Sequence, residues 1–107
     1  MELKRVVVTG LGAITPIGNT QQEFWSALLK GTSRAAPITL FDAEKFKTRF
    51  ACEVKDFVVN DFIDRKEARK MDRFSHFGIV VADEAITDSQ IDPEKINHDR
   101  VGVIWGT

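Results

Sequence analysis

Phe74-Ser75-His76-Phe77-Gly78-Ile79-Val80-Val81-Ala82-Asp83-Glu84-Ala85-Ile86 is the stretch from which the fold is read. Phe74, Phe77, Gly78, Val81, Ala82, Ala85 and Ile86 recur at i, i+3, i+4, i+7, i+8, i+11 and i+12, one apolar stripe along a long helix. Ile79 and Val80 widen it, and the small Gly78, Ala82 and Ala85 leave room for another element to approach closely. Asp72 is a suitable N-cap, while Asp88-Ser89 and Asp92-Pro93 mark the exit. Downstream, Val101-Gly102-Val103-Ile104-Trp105 reads as a buried strand. Upstream, Arg5-Val6-Val7-Val8-Thr9 is a second apolar run, closed by Gly10-Leu11-Gly12. Strands that are apolar without alternation are covered on both faces, so the β…α…β order predicts a parallel pairing in an α/β fold.

Between the first strand and that helix the signals are more mixed. Ala13 to Asn19 is a loop, because Pro16 and Gly18 interrupt any regular element. Thr20-Gln21-Gln22-Glu23 has the capping-box pattern and starts a helix whose Phe24, Trp25, Leu28 and Leu29 share a face. Gly31 sits where a C-terminal cap belongs. Ala35, Ala36 and Pro37 suggest an irregular connection. Phe50 to Phe57 has partial alternation, with Phe50, Cys52 and Val54 on one side and Glu53 and Lys55 on the other; it reads as an extended segment or edge strand.

The chain has 107 residues, 43% hydrophobic and 29% charged, with a formal charge of −1. Eight Phe and two Trp are more than a disordered chain carries. No apolar run approaches the roughly 18 residues of a membrane span. One Cys excludes an internal disulfide framework and fits a reducing, cytoplasmic setting. The near-neutral charge argues against a chain that coats nucleic acid. The length allows one small domain or a piece of a larger one. A closing strand left as an unpaired apolar edge would be an aggregation site, so the core is expected to be completed by residues beyond Thr107.

Few residues offer chemistry on their own. Gly10-x-Gly12 follows a strand as in a dinucleotide loop, but the third glycine is missing and Pro16 keeps the loop from opening into a helix. The alternative is a pair of glycines turning tightly against a packed helix. Cys52 lies beside Glu53 with no base near it in sequence, and is expected to be a packed, unreactive thiol. His76 and His98 lack a second His or Cys at ligand spacing, so neither a metal nor another cofactor is expected.

One cluster is sharper. Arg65, Lys66, Arg69, Lys70 and Arg73 stand against Glu67 and Asp72 within nine residues, a local excess of positive charge in a slightly acidic chain. On a continuous helix Lys66, Arg69, Lys70 and Arg73 would fall within an arc of about 100°. Residue types alone leave two readings open. One is a solvated face stitched by pairs such as Glu67–Lys70; the other is a docking surface for an acidic partner.

Val6-Val7-Val8-Thr9-Gly10-Leu11-Gly12, the Thr15-Pro16-x-Gly18-Asn19 loop, and Trp25 with Leu28-Leu29-x-Gly31 resemble the opening of β-ketoacyl-acyl-carrier-protein synthases. Phe41-Asp42, Val54-Lys55-Asp56-Phe57, Arg65-Lys66-Glu67-x-Arg69-Lys70-Met71-Asp72-x-Phe74 and Val101-Gly102…Gly106-Thr107 continue in the same order. The basic string makes the type II condensing enzymes of dissociated fatty-acid synthesis the branch it most resembles.

The resemblance implies a thiolase-like α/β fold, layered αβαβα in the complete enzyme, of which residues 1–107 are the N-terminal part. It implies a cytoplasmic homodimer that catalyses decarboxylative Claisen condensation of an acyl thioester with malonyl-carrier. The family's catalytic cysteine, two histidines and lysine lie downstream of this region, so Cys52, His76 and His98 match none of them and no catalytic residue is expected here. Positions matching Lys66, Arg69 and Lys70 contact the acidic helix of acyl carrier protein in related synthases. A polyketide-type ketosynthase segment and a non-catalytic module that binds carrier protein are the alternatives. A nucleic-acid module is the weakest, since no aromatics interleave the basic cluster.

Overall fold

The computed structural model describes residues 1–106, so Thr107 of the closing motif lies outside the described residues. Helix α1 spans Gln21–Leu29, strands β1 and β2 span Ala35–Pro37 and Phe50–Cys52, helix α2 spans Arg65–Ala68 and helix α3 spans Arg73–Ser89. Single 3₁₀ turns occupy Val59–Asp61 and His98–Arg100.

Helix α3 runs where the stripe predicts, from an extended Asp72 to Gln90, which takes the left-handed conformation at φ 57°. Its small residues do admit close neighbours. A Cβ on Gly78 would stand 2.8 Å from Trp105 Nε1, and that indole donates to Phe74 O at 3.2 Å. A Cβ on Gly12 would collide with Val81 O, so the Gly10–Gly12 loop is pressed onto the backbone of α3. This close approach accounts for the two glycines. Two acids of α3 strap the loop down. Asp88 accepts from Leu11 N at 2.9 Å, and Glu84 accepts from both Ala13 N and Gln21 N at 2.8 Å.

Helix α1 begins as its sequence predicts, with Thr20 Oγ1 accepting from Glu23 N. The reciprocal half of the capping box is displaced by one residue, because Glu23 accepts from Asn19 N at 2.8 Å. Gly31, at φ 67°, follows the helix end as expected. No residue of α1 is buried, and Trp25 and Leu29 face solvent.

The sheet differs from the expectation. The only strand ladder among the described residues is β1 with β2, antiparallel, pairing Ala35 with Cys52 and Pro37 with Phe50. Ala35–Pro37, expected to be irregular, is thus a strand. Its proline sits at the strand's end, and Ile38 N donates to Arg49 O to continue the pairing. Residues 5–9 and 101–105 form no strand: Val6 is 88% and Ile104 99% exposed. A strand exists only through a neighbour that takes its backbone hydrogen bonds, and these runs have none among the described residues.

The core is correspondingly thin. Ala43, Ile63, Ala68 and Val80 are its buried apolar residues. Phe57 stacks on Phe62 and meets Phe77 edge-on at 5.2 Å, tying the Val59–Asp61 turn to α3. The radius of gyration is 17.5 Å, against about 13 Å for a compact domain of this length.

Candidate functional site

The basic cluster is built by two short-range signals that the apolar pattern hides. Asp64 caps α2, its carboxylate accepting from Lys66 N at 2.9 Å, and Asp72 takes an extended conformation that starts α3 afresh. The chain therefore breaks between Arg69, the C-cap of α2, and Arg73, and the expectation of four cations on one continuous helix is wrong. Lys66, Arg69 and Lys70 stay together on α2 and the turn after it, all exposed. Arg73 departs from them. Its guanidinium lies 5.0 Å from the centroid of the Phe77 ring and donates to Val54 O at 3.4 Å.

The three remaining cations differ in what holds them. Lys70 Nζ pairs with Glu67 at 2.7 Å, but both side chains are more than half exposed, so the pair is worth at most tenths of a kcal/mol. The side chains of Lys66 and Arg69 make no ion pair among the described residues. Beside them Val59, Asn60, Arg65, Ala68, Arg69 and His76 line a pocket of about 370 Å³. His76 Nε2–H donates to Ala68 O at 2.8 Å, the carbonyl requiring the proton to be on that nitrogen. Sequence reading missed this convergence of Arg65 and His76. The available signal was the pair of aspartates, Asp64 and Asp72, that delimit α2.

The second acidic–basic arrangement lies just beyond the ends of the two strands. Glu53 Oε1 accepts from Thr39 N and Leu40 N, while Oε2 accepts from Thr39 Oγ1 and Lys55 Nζ, each at 2.7 Å. Lys55 first, then the Thr39 hydroxyl and amide, hold the Glu53 carboxyl down from its ordinary 4.5 to about 2. Burial opposes them, and the Leu40 amide adds to the lowering. Every bond of this carboxylate is internal, so its work is structural.

That network also overturns the expected burial of Cys52. The alternation holds through β2 to the residue after it, but Glu53 there is the side chain turned inward, and Cys52 and Phe50 face solvent. Four hydrogen bonds to one carboxylate fix the strand's orientation more firmly than a thiol can. His98 Nε2–H donates to Pro93 O at 2.6 Å, a local turn contact. No cluster of three metal-ligating side chains occurs among the described residues, and no helix there is long and apolar enough to cross a membrane.

Residues 3–107 match the model of the β-ketoacyl synthase N-terminal domain. The chain belongs to the β-ketoacyl synthase family. It is 52% identical over its whole length to 3-oxoacyl-[acyl-carrier-protein] synthase 2 of Synechocystis, covering 26% of that protein. It is 46% identical over 97% of its length to the Staphylococcus aureus (strain COL) enzyme of the same name, covering 25% of it. This β-ketoacyl synthase chain thus spans about a quarter of the length of the curated relatives it matches.

Among solved structures, the ishigamide ketosynthase/chain length factor superposes with a TM-score of 0.75 at 34% identity, over 84% of this chain and 22% of that one. A ketosynthase bound to the hexaketide, in complex with its type II polyketide synthase acyl-carrier protein, follows with a TM-score of 0.64 at 29% identity. The likeness covers 85% of this chain and 23% of that one. The fold class is therefore α/β and thiolase-like, as the sequence resemblance implies, although the strands at 5–9 and 101–105 are not formed.

Proposed function

We propose that residues 1–107 are the N-terminal part of the thiolase-like domain of a 3-oxoacyl-acyl-carrier-protein synthase that extends acyl chains in fatty-acid synthesis. Their task there is to dock the acidic carrier protein through Lys66, Arg69 and Lys70. The reaction joins an acyl thioester to the carbanion that malonyl-carrier leaves on losing CO₂. Its cysteine nucleophile, histidines and lysine belong to the remainder of the enzyme, and this segment does not turn over alone. The enzyme acts as a cytoplasmic homodimer without metal or cofactor.

The observation that carries the docking reading is the exposure of Lys66, Arg69 and Lys70 side by side on α2 and its C-terminal turn, with Arg73 drawn away onto Phe77. Cations that are not tied into the fold remain available to a partner. A carrier that must visit and leave is served by screened, exposed pairs that speed encounter without slowing release. The exposed apolar runs at 3–8 and 101–105 fit the same account, because the rest of the enzyme supplies the strands that cover them.

Lys66→Glu with Lys70→Glu in the complete enzyme tests this. The KM for carrier-bound acyl groups rises by about tenfold or more, while KM and kcat for small acyl thioesters stay unchanged. Equal losses with both kinds of substrate would mean that the patch is structural and does not dock the carrier.

A further inference from the structure

We infer that α2 is a hinged element that opens as a unit about Asp64 and Asp72 while α3 stays folded, and that His76 is the latch holding it closed. The hinge exists whatever α2 binds, because it follows from how the segment is held.

Helix α2 has little of its own to keep it in place. Its four residues, Arg65–Ala68, are far fewer than the roughly 12 that an isolated helix needs in water, so it persists through groups outside it. One is the Asp64 carboxylate, which accepts from Lys66 N at 2.9 Å at the N-terminal end. Ala68 is the only buried residue of α2, and a single methyl group adds little apolar burial. Glu67 and Lys70 pair with each other in solvent and fasten the segment to nothing else.

The chain leaves the helical region on both sides of the segment. Asp64 lies at φ −53° and ψ 138°, and Asp72 at φ −75° and ψ 161°. A hinge needs a change of backbone angles at only a few such element-terminal residues. The junction is also loosely filled: Val59, Asn60, Arg65, Ala68, Arg69 and His76 line a cavity of about 370 Å³. Close packing resists local opening, and here it is interrupted.

One side-chain hydrogen bond joins residues 65–70 to α3 among the described residues. His76 Nε2–H donates to Ala68 O at 2.8 Å. The same carbonyl accepts from Met71 N at 3.3 Å, so the imidazole acts where the turn between the two helices begins. His76 itself belongs to a 17-residue helix with Gly78 and Val80 buried within the next turn. The latch is thus anchored on the firmer element and engages the weaker one.

Hydrogen exchange of the complete enzyme tests this. In wild type the amides of Ala68, Arg69, Lys70 and Met71, bonded to the carbonyls of Asp64, Arg65, Glu67 and Ala68, exchange at least tenfold faster than those of Val80 and Val81. His76→Phe keeps a ring without a donor. It speeds the α2 amides a further three- to tenfold, the effect of about one hydrogen bond lost, and leaves Val80 and Val81 at wild-type rates. His76→Gln restores a donor and stays within about twofold of wild type. Wild-type rates in His76→Phe, or no recovery in His76→Gln, would show that this bond is not the latch. Equal protection of α2 and α3 in wild type, or equal acceleration of both in His76→Phe, would show that α2 does not open separately and would overturn the hinge.

Discussion

Lys55–Glu53 and Lys70–Glu67 are ion pairs of the same length, 2.7 Å, between the same two residue types, yet they serve opposite ends. Glu53 is 7% exposed and accepts two backbone amides and a hydroxyl besides the ammonium. Glu67 is 59% exposed and has only Lys70. The distance between charges therefore says little about what a pair does. What decides is how many other groups depend on the carboxylate, and how much water can take its place. The Glu53 pair holds the β1–β2 hairpin against the Thr39–Leu40 backbone; the Glu67 pair is solvated on both sides and leaves its lysine exchangeable.

Three perturbations probe that contrast, and the largest effect belongs to Glu53. Glu53→Gln keeps an oxygen for the Thr39 and Leu40 amides but sets an amide N–H₂ against the Lys55 ammonium. In the complete protein it lowers the melting midpoint by several degrees and loosens the β1–β2 amides to hydrogen exchange. Wild-type protection of those amides in the variant would show that the carboxylate does not organise the hairpin.

Acid acts next, through the same group. Its carboxyl lies near 4.5 when unfolded and is held to about 2 in the fold, so the unfolded chain binds the extra proton between those values. The stabilisation is complete above about pH 4.5 and is lost as pH falls through about 2. Hydrogen exchange of Thr39 and Leu40 followed from pH 5 downward should show protection declining across that window in wild type, with the decline absent in Glu53→Gln.

Glu67→Gln gives the smallest change, under about 1 °C in melting midpoint, because an exposed i,i+3 pair contributes only tenths of a kcal/mol. A loss as large as that of Glu53→Gln would dissolve the distinction between the two pairs.

The same contrast explains how much could be read from the sequence. Helix α3 was legible because its stripe repeats over many residues and its small members tolerate close crossing, and Gly78 under Trp105 bears that out. The start of α1 was legible because Thr20 and Gly31 act within a few residues of themselves. The face of β2 was not, since the reason for turning Glu53 inward is the Thr39–Leu40 backbone, fourteen residues away in the chain. Cys52 followed that face outward, against the general preference of thiols for burial. The strands at 5–9 and 101–105 have the composition of buried strands, but composition does not supply the neighbour that a strand requires.

At the candidate site the residue types were legible and the geometry only partly so. Lys66, Arg69 and Lys70 were picked out by charge density, and the structure leaves them exposed together. The helical wheel that also enrolled Arg73 assumed an unbroken helix, whereas Asp72 restarts the chain there. The Arg65–His76 proximity crosses that break, so no single-helix periodicity could have revealed it.

The most direct measurement is the affinity of the complete enzyme for acidic acyl carrier protein as sodium chloride is raised. Docking on Lys66, Arg69 and Lys70 predicts that Kd rises about tenfold between roughly 50 and 500 mM salt, and that Lys66→Glu/Lys70→Glu removes most of this dependence. A wild-type Kd indifferent to salt would contradict the account.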